Sequence, residues 1–528
     1  MNGLAIAHMS GIPDETGHKV NGVEQYIDQV FKSASKGFPE GLEYRGCKRC
    51  NVDQEYGVVT KAKTSKRMYD VARSDIYMMN YFFSYKGVDL PARPMYLPFV
   101  GDAGTLFLGG SRFNISPILS DRVISIGVSN IFVRLLRDRL TFERMGQHYM
   151  VDGRRETVQV AWAAIYHKNA KMRKLKATVK ANCTLVHYLL CKYGFAETFE
   201  RFGHCQPIVG GAEVNKNVYS EDEWVICTST QVKPKGCGRG FYEPSSLRVA
   251  IRKEQMTPMV RNMLGGFFYI LDHFPSMIKA EYFNDANEKR LWKILLGHII
   301  FSGTINAGKL HDDIEAHMTS LDEYLDQLVI LKLRDIDVFV DDVYQLFAEI
   351  IETFNDRLLA AADKVASVYD KELSILYYVL YDITASIFKL YFKLKAASKK
   401  ELTAKEITAT MNLTLRTGAI FSMTKNHGEV SNVSNPGDNK AFKVTAILTQ
   451  QGDSSKLGNR KARTTLNDPT KRLHVSVAEV CGAFNLPKSA PDGRSRLNPH
   501  LKIDAKGVVL RDPTLTPMLD QTQEYLRR

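Results

Sequence analysis

The densest group of carboxylates in this 528-residue chain is Asp335, Asp337, Asp341 and Asp342. Clustered carboxylates are what two-metal nucleotidyl transfer requires. Asp341 and Asp342, however, open an apolar pattern of helical period, where negative charge complements the helix dipole. A helix start accounts for them without chemistry. Gly303-Thr-Ile-Asn-Ala-Gly308-Lys309 comes close to the loop that cradles nucleotide phosphates. The following Leu310 has no hydroxyl for magnesium, and Leu295 to Phe301 reads as helix where that motif needs a strand. Cys47-x-x-Cys50 is half of a zinc knuckle; the other half would have to come from His204-Cys205 or from Cys227 and Cys237, none of which has metal-site spacing. Ordinary thiols are expected there, and no catalytic or metal-ligating residue is assigned to the chain.

Charge marks a different stretch. From Lys456 to Lys502 ten Lys or Arg face only Asp468, Glu479 and Asp492, so more than half of the chain's net +13 falls there. The segment is rich in Gly and Pro and builds no large core of its own. It reads as a loop system held by other elements and turned towards a polyanion, or as a solvated basic surface. A second basic region, with Arg134, Arg137, Arg139, Arg144, Arg154 and Arg155, interleaves with apolar residues. It reads as a phosphate-contacting surface or, as expected here, a solvated face.

The elements that would position these residues are partly readable. A hydrophobic fraction of 44% indicates a globular chain, and its length allows three or four domains. Thr105 to Leu108 and Arg112 to Ile115 flank Gly109-Gly110, a hairpin signal because glycine reaches positive φ without strain. Val23 to Phe31 reads as helix, and Val158 to Tyr166 and Glu223 to Ile226 as strands. Met256 to about Ser398 is expected to be mostly helical. Val343, Leu346, Phe347, Ile350, Phe354 and Leu358 form one helical face, with Glu349, Glu352 and Asp356 off it. The most apolar window, Leu373 to Phe392, contains Asp382 and Lys389 and is expected to be a buried helix, so no membrane is involved. The start Met-Asn-Gly-Leu-Ala shows no secretory signal, and the eight scattered cysteines fit a reducing compartment.

Spacing within the basic stretch gives it a relative. Arg472-Leu-His474, then Pro487-x-x-x-Pro491-x-Gly493 and Leu497-Asn498, resembles the fork region of the β subunit of multisubunit RNA polymerases. Upstream, Arg416-Thr-Gly-Ala-Ile-Phe421 and Gly428-Glu-Val-Ser-Asn432 fall where that family carries Ala-Thr-Gly-Asn-Trp and Gly-Val-Ser elements. Pro94 to Pro117 is similar to the protrusion signature, with Asp102, Gly104, Thr105 and Gly110 in the matching places. The chain departs from the family at Leu486, where a Cys precedes the first Pro, at Ser489-Ala490 in place of Glu-Thr, and in a longer gap between His474 and Pro487.

The resemblance implies an α+β, multidomain fold of protrusion, lobe and fork type. Residues 1–165 would be the first part of the protrusion, 166–320 the lobe, 321–400 a helical return to the protrusion, and 401–528 a fork-like basic region. Arg463, Lys471, Arg472, His474, Lys488, Arg494 and Arg496 would lie near nucleic acid or nucleotide, with Pro487, Pro491 and Gly493 as structural positions. The match covers the first half of a β subunit, as in the split polymerases of giant bacteriophages. Partners would be a C-terminal β-like fragment, β′-like fragments, DNA template and RNA product. Catalytic Mg2+ would be held by a β′-like partner, since no Asp-x-Asp-Gly-Asp loop occurs here. The setting would be the cytoplasm of the infected bacterial host, or the virion if the enzyme is packaged. The alternative is a stand-alone DNA-binding or virion protein with a basic C-terminal arm.

Overall fold

Two compact units share the chain: residues 1–122 with 364–528, and the intervening 123–363. The computed structural model describes residues 20–35, 38–60, 71–99, 105–115, 118–126, 130–134, 139–163, 183–230, 243–273, 286–301, 307–321, 325, 327–361, 367–374, 381–397, 401–422, 430–432, 445–448, 476, 493–496, 502–503, 508–510, 517–518 and 521.

The first unit opens with α1 (Val20–Ser35), longer at both ends than the helix read from the sequence. Val23, Ile27, Val30, Phe31 and Ala34 recur at helical spacing and are all buried. They face a sheet of β1 (Leu42–Arg49), β2 (Ile76–Tyr85), β3 (Val88–Asp89) and β4 (Arg93–Pro98), with α2 (Val52–Thr60) between β1 and β2. The apolar run of β2 makes it the central strand, antiparallel to β1, β3 and β4. Phe31 of α1 packs its ring 5.1 Å from Tyr44 and 4.6 Å from Tyr81. Next come β5 (Thr105–Leu108), β6 (Ser111–Ile115) and β7 (Ile118–Asp121).

The second unit contains β8 (Ile124–Ile126), β9 (Asn130–Arg134), β10 (Arg139–Val151), β11 (Arg154–Ala163), β12 (Cys183–Thr184), β13 (Ile208–Gly210), β14 (Trp224–Ser229) and β15 (Arg248–Arg252). They form one eight-stranded sheet around the long β10–β11 hairpin. Its helices are α3 (Leu185–Tyr193), α4 (Phe195–Gly203), α5 (Pro258–His273), α6 (Lys289–Ile300), α7 (Ala307–Leu321), α8 (Gln327–Arg334) and α9 (Val343–Ala361). Every apolar residue assigned to the core face of α9 is buried. Strand β11 begins earlier than the Val158 expected, because Asp152 and Gly153 both take positive φ and turn β10 directly into it.

Returning to the first unit, β16 (Lys371–Ser374), α10 (Tyr381–Ala397), α11 (Ala404–Thr414), β17 (Val430–Asn432), β18 (Thr445–Leu448), β19 (Gly493–Arg496), β20 (Lys502–Ile503) and β21 (Val509–Leu510) follow. Thr403 caps α11 reciprocally with Glu406.

One sequence expectation needs correction. The window Leu373 to Phe392 is not one helix: its first residues belong to β16, which pairs with β7, and α10 starts at Tyr381. Among the described residues no helix is long and apolar enough to cross a membrane. Strand β10 pairs with β14, β11 pairs with β12, and α9 packs on β8, β9 and β11, which holds 123–363 together.

Candidate nucleic-acid interface

The hairpin β5–β6 forms at the strands and turn the sequence indicates. Gly109 and Gly110 both have positive φ, 58° and 82°, which a two-residue turn between twisted strands demands. The preceding chain braces its tip. The Gly110 amide donates to the Arg73 carbonyl at 2.7 Å, the Gly109 amide to Ser74 Oγ at 2.7 Å, and the Asp75 amide to the Phe107 carbonyl at 2.8 Å. A methyl group on Gly110 would sit 3.2 Å from Arg73 Cδ. The turn 71–75 is therefore a supporting element that sequence reading missed; Ser74-Asp75 ahead of an apolar strand was its only signal.

Backbone ladders join this hairpin to the C-terminal part of the chain. Strand β17, carrying the Val430-Ser-Asn432 trace, lies antiparallel to β6, with Val430 opposite Ile115 and Asn432 opposite Phe113. Strand β18 runs parallel to β7, pairing Ile447 with Ile118 and Leu448 with Leu119. Its other edge takes β19 antiparallel, so that Gly493 lies opposite Leu448, Arg494 opposite Ile447, and Arg496 opposite Thr445. Two motifs more than 300 residues apart in sequence thus share hydrogen-bonded sheets within one unit. Inside the basic stretch, Ser476 is buried, and its hydroxyl accepts from Ser367 Oγ at 3.2 Å. Ser476 and β19 are two points at which this charge-rich segment is fastened.

A third contact links the Pro94–Pro98 strand to Arg416–Phe421. The Tyr96 amide donates to the Thr417 carbonyl at 2.9 Å, and the Tyr96 and Phe421 rings lie 6.2 Å apart. The neighbouring Arg93, only 7% exposed, donates to Asn412 Oδ1 and, at 3.5 Å, to the Thr408 carbonyl. Burial pushes its pKa below the ordinary arginine value. Neither partner is near Arg93 in sequence, and no local signal marks this buried cation.

Of the residues singled out in the sequence, Thr105, Gly110, Gly493, Arg494 and Arg496 fall in the described strands and turn. Asp102, Gly104, Arg463, Lys471, Arg472, His474, Lys488, Pro487 and Pro491 lie outside the described residues.

The sites of competing chemistry resolve structurally. Asp342 Oδ1 accepts from the Gln345 amide at 2.8 Å and Asp341 pairs with Arg334 at 2.7 Å, so these carboxylates start α9 and close a loop. Gly308 and Lys309 lie within α7, and the element before them is helix α6. Cys47 Sγ donates to Asp28 Oδ1 at 3.9 Å. Burial first, then the Asp28 charge, raises its thiol pKa. Burial raises Cys50 also. Neither thiol has the depressed pKa of an activated nucleophile. No group of three or more His, Cys, Asp or Glu converges as a metal site among the described residues.

No curated protein matches the chain. A family model described as "Non-virion RNA polymerase subunit" matches residues 18–524.

Proposed function

Because the chain belongs to the non-virion RNA polymerase subunit family, we propose that it is the β-like N-terminal subunit of a split, phage-type DNA-dependent RNA polymerase. The observation that carries this reading is the pair of ladders β6–β17 and β7–β18–β19. They support a common origin with a β subunit because they join the protrusion-like hairpin to the fork-like elements, two motifs whose order along the chain matches that family. In this reading residues near Gly110 and the stretch from Arg463 to Arg496 wall the DNA cleft beside the active centre. The arginines and lysines there neutralise template phosphates and release condensed counterions. A β′-like partner holds the Mg2+ that stabilises the transferring phosphoryl group; this chain positions template and product and supports that centre. The protrusion, lobe and fork names for its parts are part of the same proposal. The family description favours an enzyme made in the infected cell over one packaged in the particle. It also sets aside the stand-alone DNA-binding protein.

The test is reconstitution. The full chain, tagged and co-expressed with the other polymerase chains, should purify as a stoichiometric complex containing a C-terminal β-like and β′-like fragments. A complex already containing an intact β subunit would overturn the β-like assignment while leaving the family membership untouched.

A further inference from the structure

The acidic loop after α8 has a structural role as a helix start, yet that role leaves Phe339 unexplained. This aromatic is 75% exposed, while Val338 and Val340 on either side are 1% and 3% exposed. The alternation is that of a short extended segment whose flanking side chains are anchored in the core and whose central one points away from it.

The loop is fixed at both ends. After α8 the Asp337 amide donates to the Arg334 carbonyl at 3.1 Å and the Val338 amide to the Leu333 carbonyl at 2.9 Å. Asp337 sits at φ 60° between them, in the left-handed position usual for this helix ending. Leu333 and Val338 hold the positions whose apolar contact accompanies such an ending, and both are buried. At the other end Asp342 caps α9, and the Asp341 amide donates to Gln345 Oε1 at 2.8 Å. The Arg334–Asp341 pair, 2.7 Å, bridges the two ends. Phe339 is thus held on a closed and capped loop, where insertion into a pocket costs little ordering entropy.

Its surroundings select the occupant. Asp335, Asp337, Asp341 and Asp342 neighbour Phe339 along the chain against Lys332 and Arg334, the latter paired with Asp341, so the loop is acidic in a chain whose net charge is +13. This local negative field repels nucleic acid and complements a basic protein surface. We propose that Phe339 is a docking anchor for another subunit of the polymerase, one presenting an apolar pocket rimmed by Lys or Arg. A buried aromatic surrounded by water-excluding polar contacts is the usual form of an interface hot spot. The inference rests on the chain being one subunit of a polymerase, not on the β-like placement.

The test replaces Phe339 with the photo-crosslinker p-benzoylphenylalanine in the full chain and irradiates the assembled polymerase. A covalent product with one other polymerase subunit, mapping to an apolar segment flanked by Lys or Arg, is expected. Phe339→Ala should weaken association with that subunit about thirtyfold. Asp335→Asn with Asp337→Asn should weaken it less and flatten its salt dependence; Asn tolerates the left-handed conformation at 337. The tryptophan-monitored unfolding transition of all these variants should stay at the wild-type midpoint, separating docking from folding. A crosslink confined to the same chain, to a second copy or to nucleic acid overturns the proposal, as does an assembled complex without any crosslink from 339. Failure of the chain to enter any multi-subunit complex would remove both this inference and the proposed function.

Discussion

Replacing Gly265 with alanine should destabilise the second unit, although the substitution favours an isolated helix. Gly265 and Gly266 lie in mid-α5, where the helix passes between β11 and α3. A Cβ on Gly265 would penetrate Val158 Cγ2 and lie 3.0 Å from Val160 Cγ2. One on Gly266 would lie 2.7 Å from Val186 Cγ2 and 2.8 Å from Val186 Cβ. The obstructing side chains are β-branched and buried, so they do not swing aside; the helix must shift from the sheet. Overpacking of this kind costs about 1–3 kcal/mol, and overlap with the buried, β-branched Val158 places Gly265→Ala in the upper half of that range, at about 2–3 kcal/mol, against a gain of about 1 kcal/mol from removing a helical glycine. A net loss of about 1 kcal/mol or more is expected for Gly265→Ala, and a larger one for the double variant. With a urea slope of about 2 kcal/mol per M, the midpoint should fall by roughly 0.5 M or more. The three tryptophans, Trp162, Trp224 and Trp292, all lie in residues 123–363, so their fluorescence follows this unit alone. Gly57→Ala is the control: it is also helical, nothing lies within 4 Å of its Cβ position, and it sits in the other unit. That variant should leave the tryptophan transition unmoved. An unchanged or raised midpoint for Gly265→Ala would refute the close packing of α5 on β11.

Three further outcomes are expected. His187 is fully buried with Nε2 2.9 Å from the Trp292 carbonyl, and burial lowers its pKa from 6.5 to about 4. The unfolded chain then binds the extra proton between those values, so this contribution is complete above about pH 6.5 and is lost as pH falls towards 4, at most about 3 kcal/mol. His187→Leu should flatten the pH dependence of the tryptophan-monitored midpoint between pH 7 and 5; an undiminished slope would show that His187 does not carry it. Asp342→Ala should cost about 1 kcal/mol of stability through the lost cap and leave the magnesium dependence of the assembled enzyme unchanged; an altered dependence would restore the carboxylates as metal ligands. In the assembled enzyme Arg494→Ala should lower template affinity and flatten its salt slope, whereas Lys488→Ala should slow elongation at saturating template by up to about 3 kcal/mol of transition-state stabilisation. Unchanged binding and elongation in both would leave the basic stretch as a solvated surface.

Local signals carried much of the fold. Gly109-Gly110 located β5 and β6 because positive φ at two consecutive positions is a property of the turn itself. The face of α9 was readable because its period needs no partner to define it. Asp152-Gly153, an equally strong turn signal, was overlooked, and β11 was therefore begun at Val158 instead of Arg154. The short strand β16 could not be read within an otherwise helical region, since its four residues become a strand only by pairing with β7, some 250 positions earlier. Strand partners such as Tyr149 and Ser229 were equally illegible, because they are fixed by tertiary pairing and not by composition. At the candidate interface, the order of motifs was legible and their joining by β6–β17 was not. Arg93 was invisible as a buried cation because Asn412 is 319 residues away.

The most direct test of the central claim is template-directed RNA synthesis measured across a magnesium titration for the purified chain alone and for the chain combined with its co-purifying partners. The lone chain should make no RNA at any magnesium concentration, and synthesis should appear only when a β′-like partner is present. RNA made from a template by the lone chain would contradict the proposed role of a subunit that supports, but does not contain, the catalytic centre.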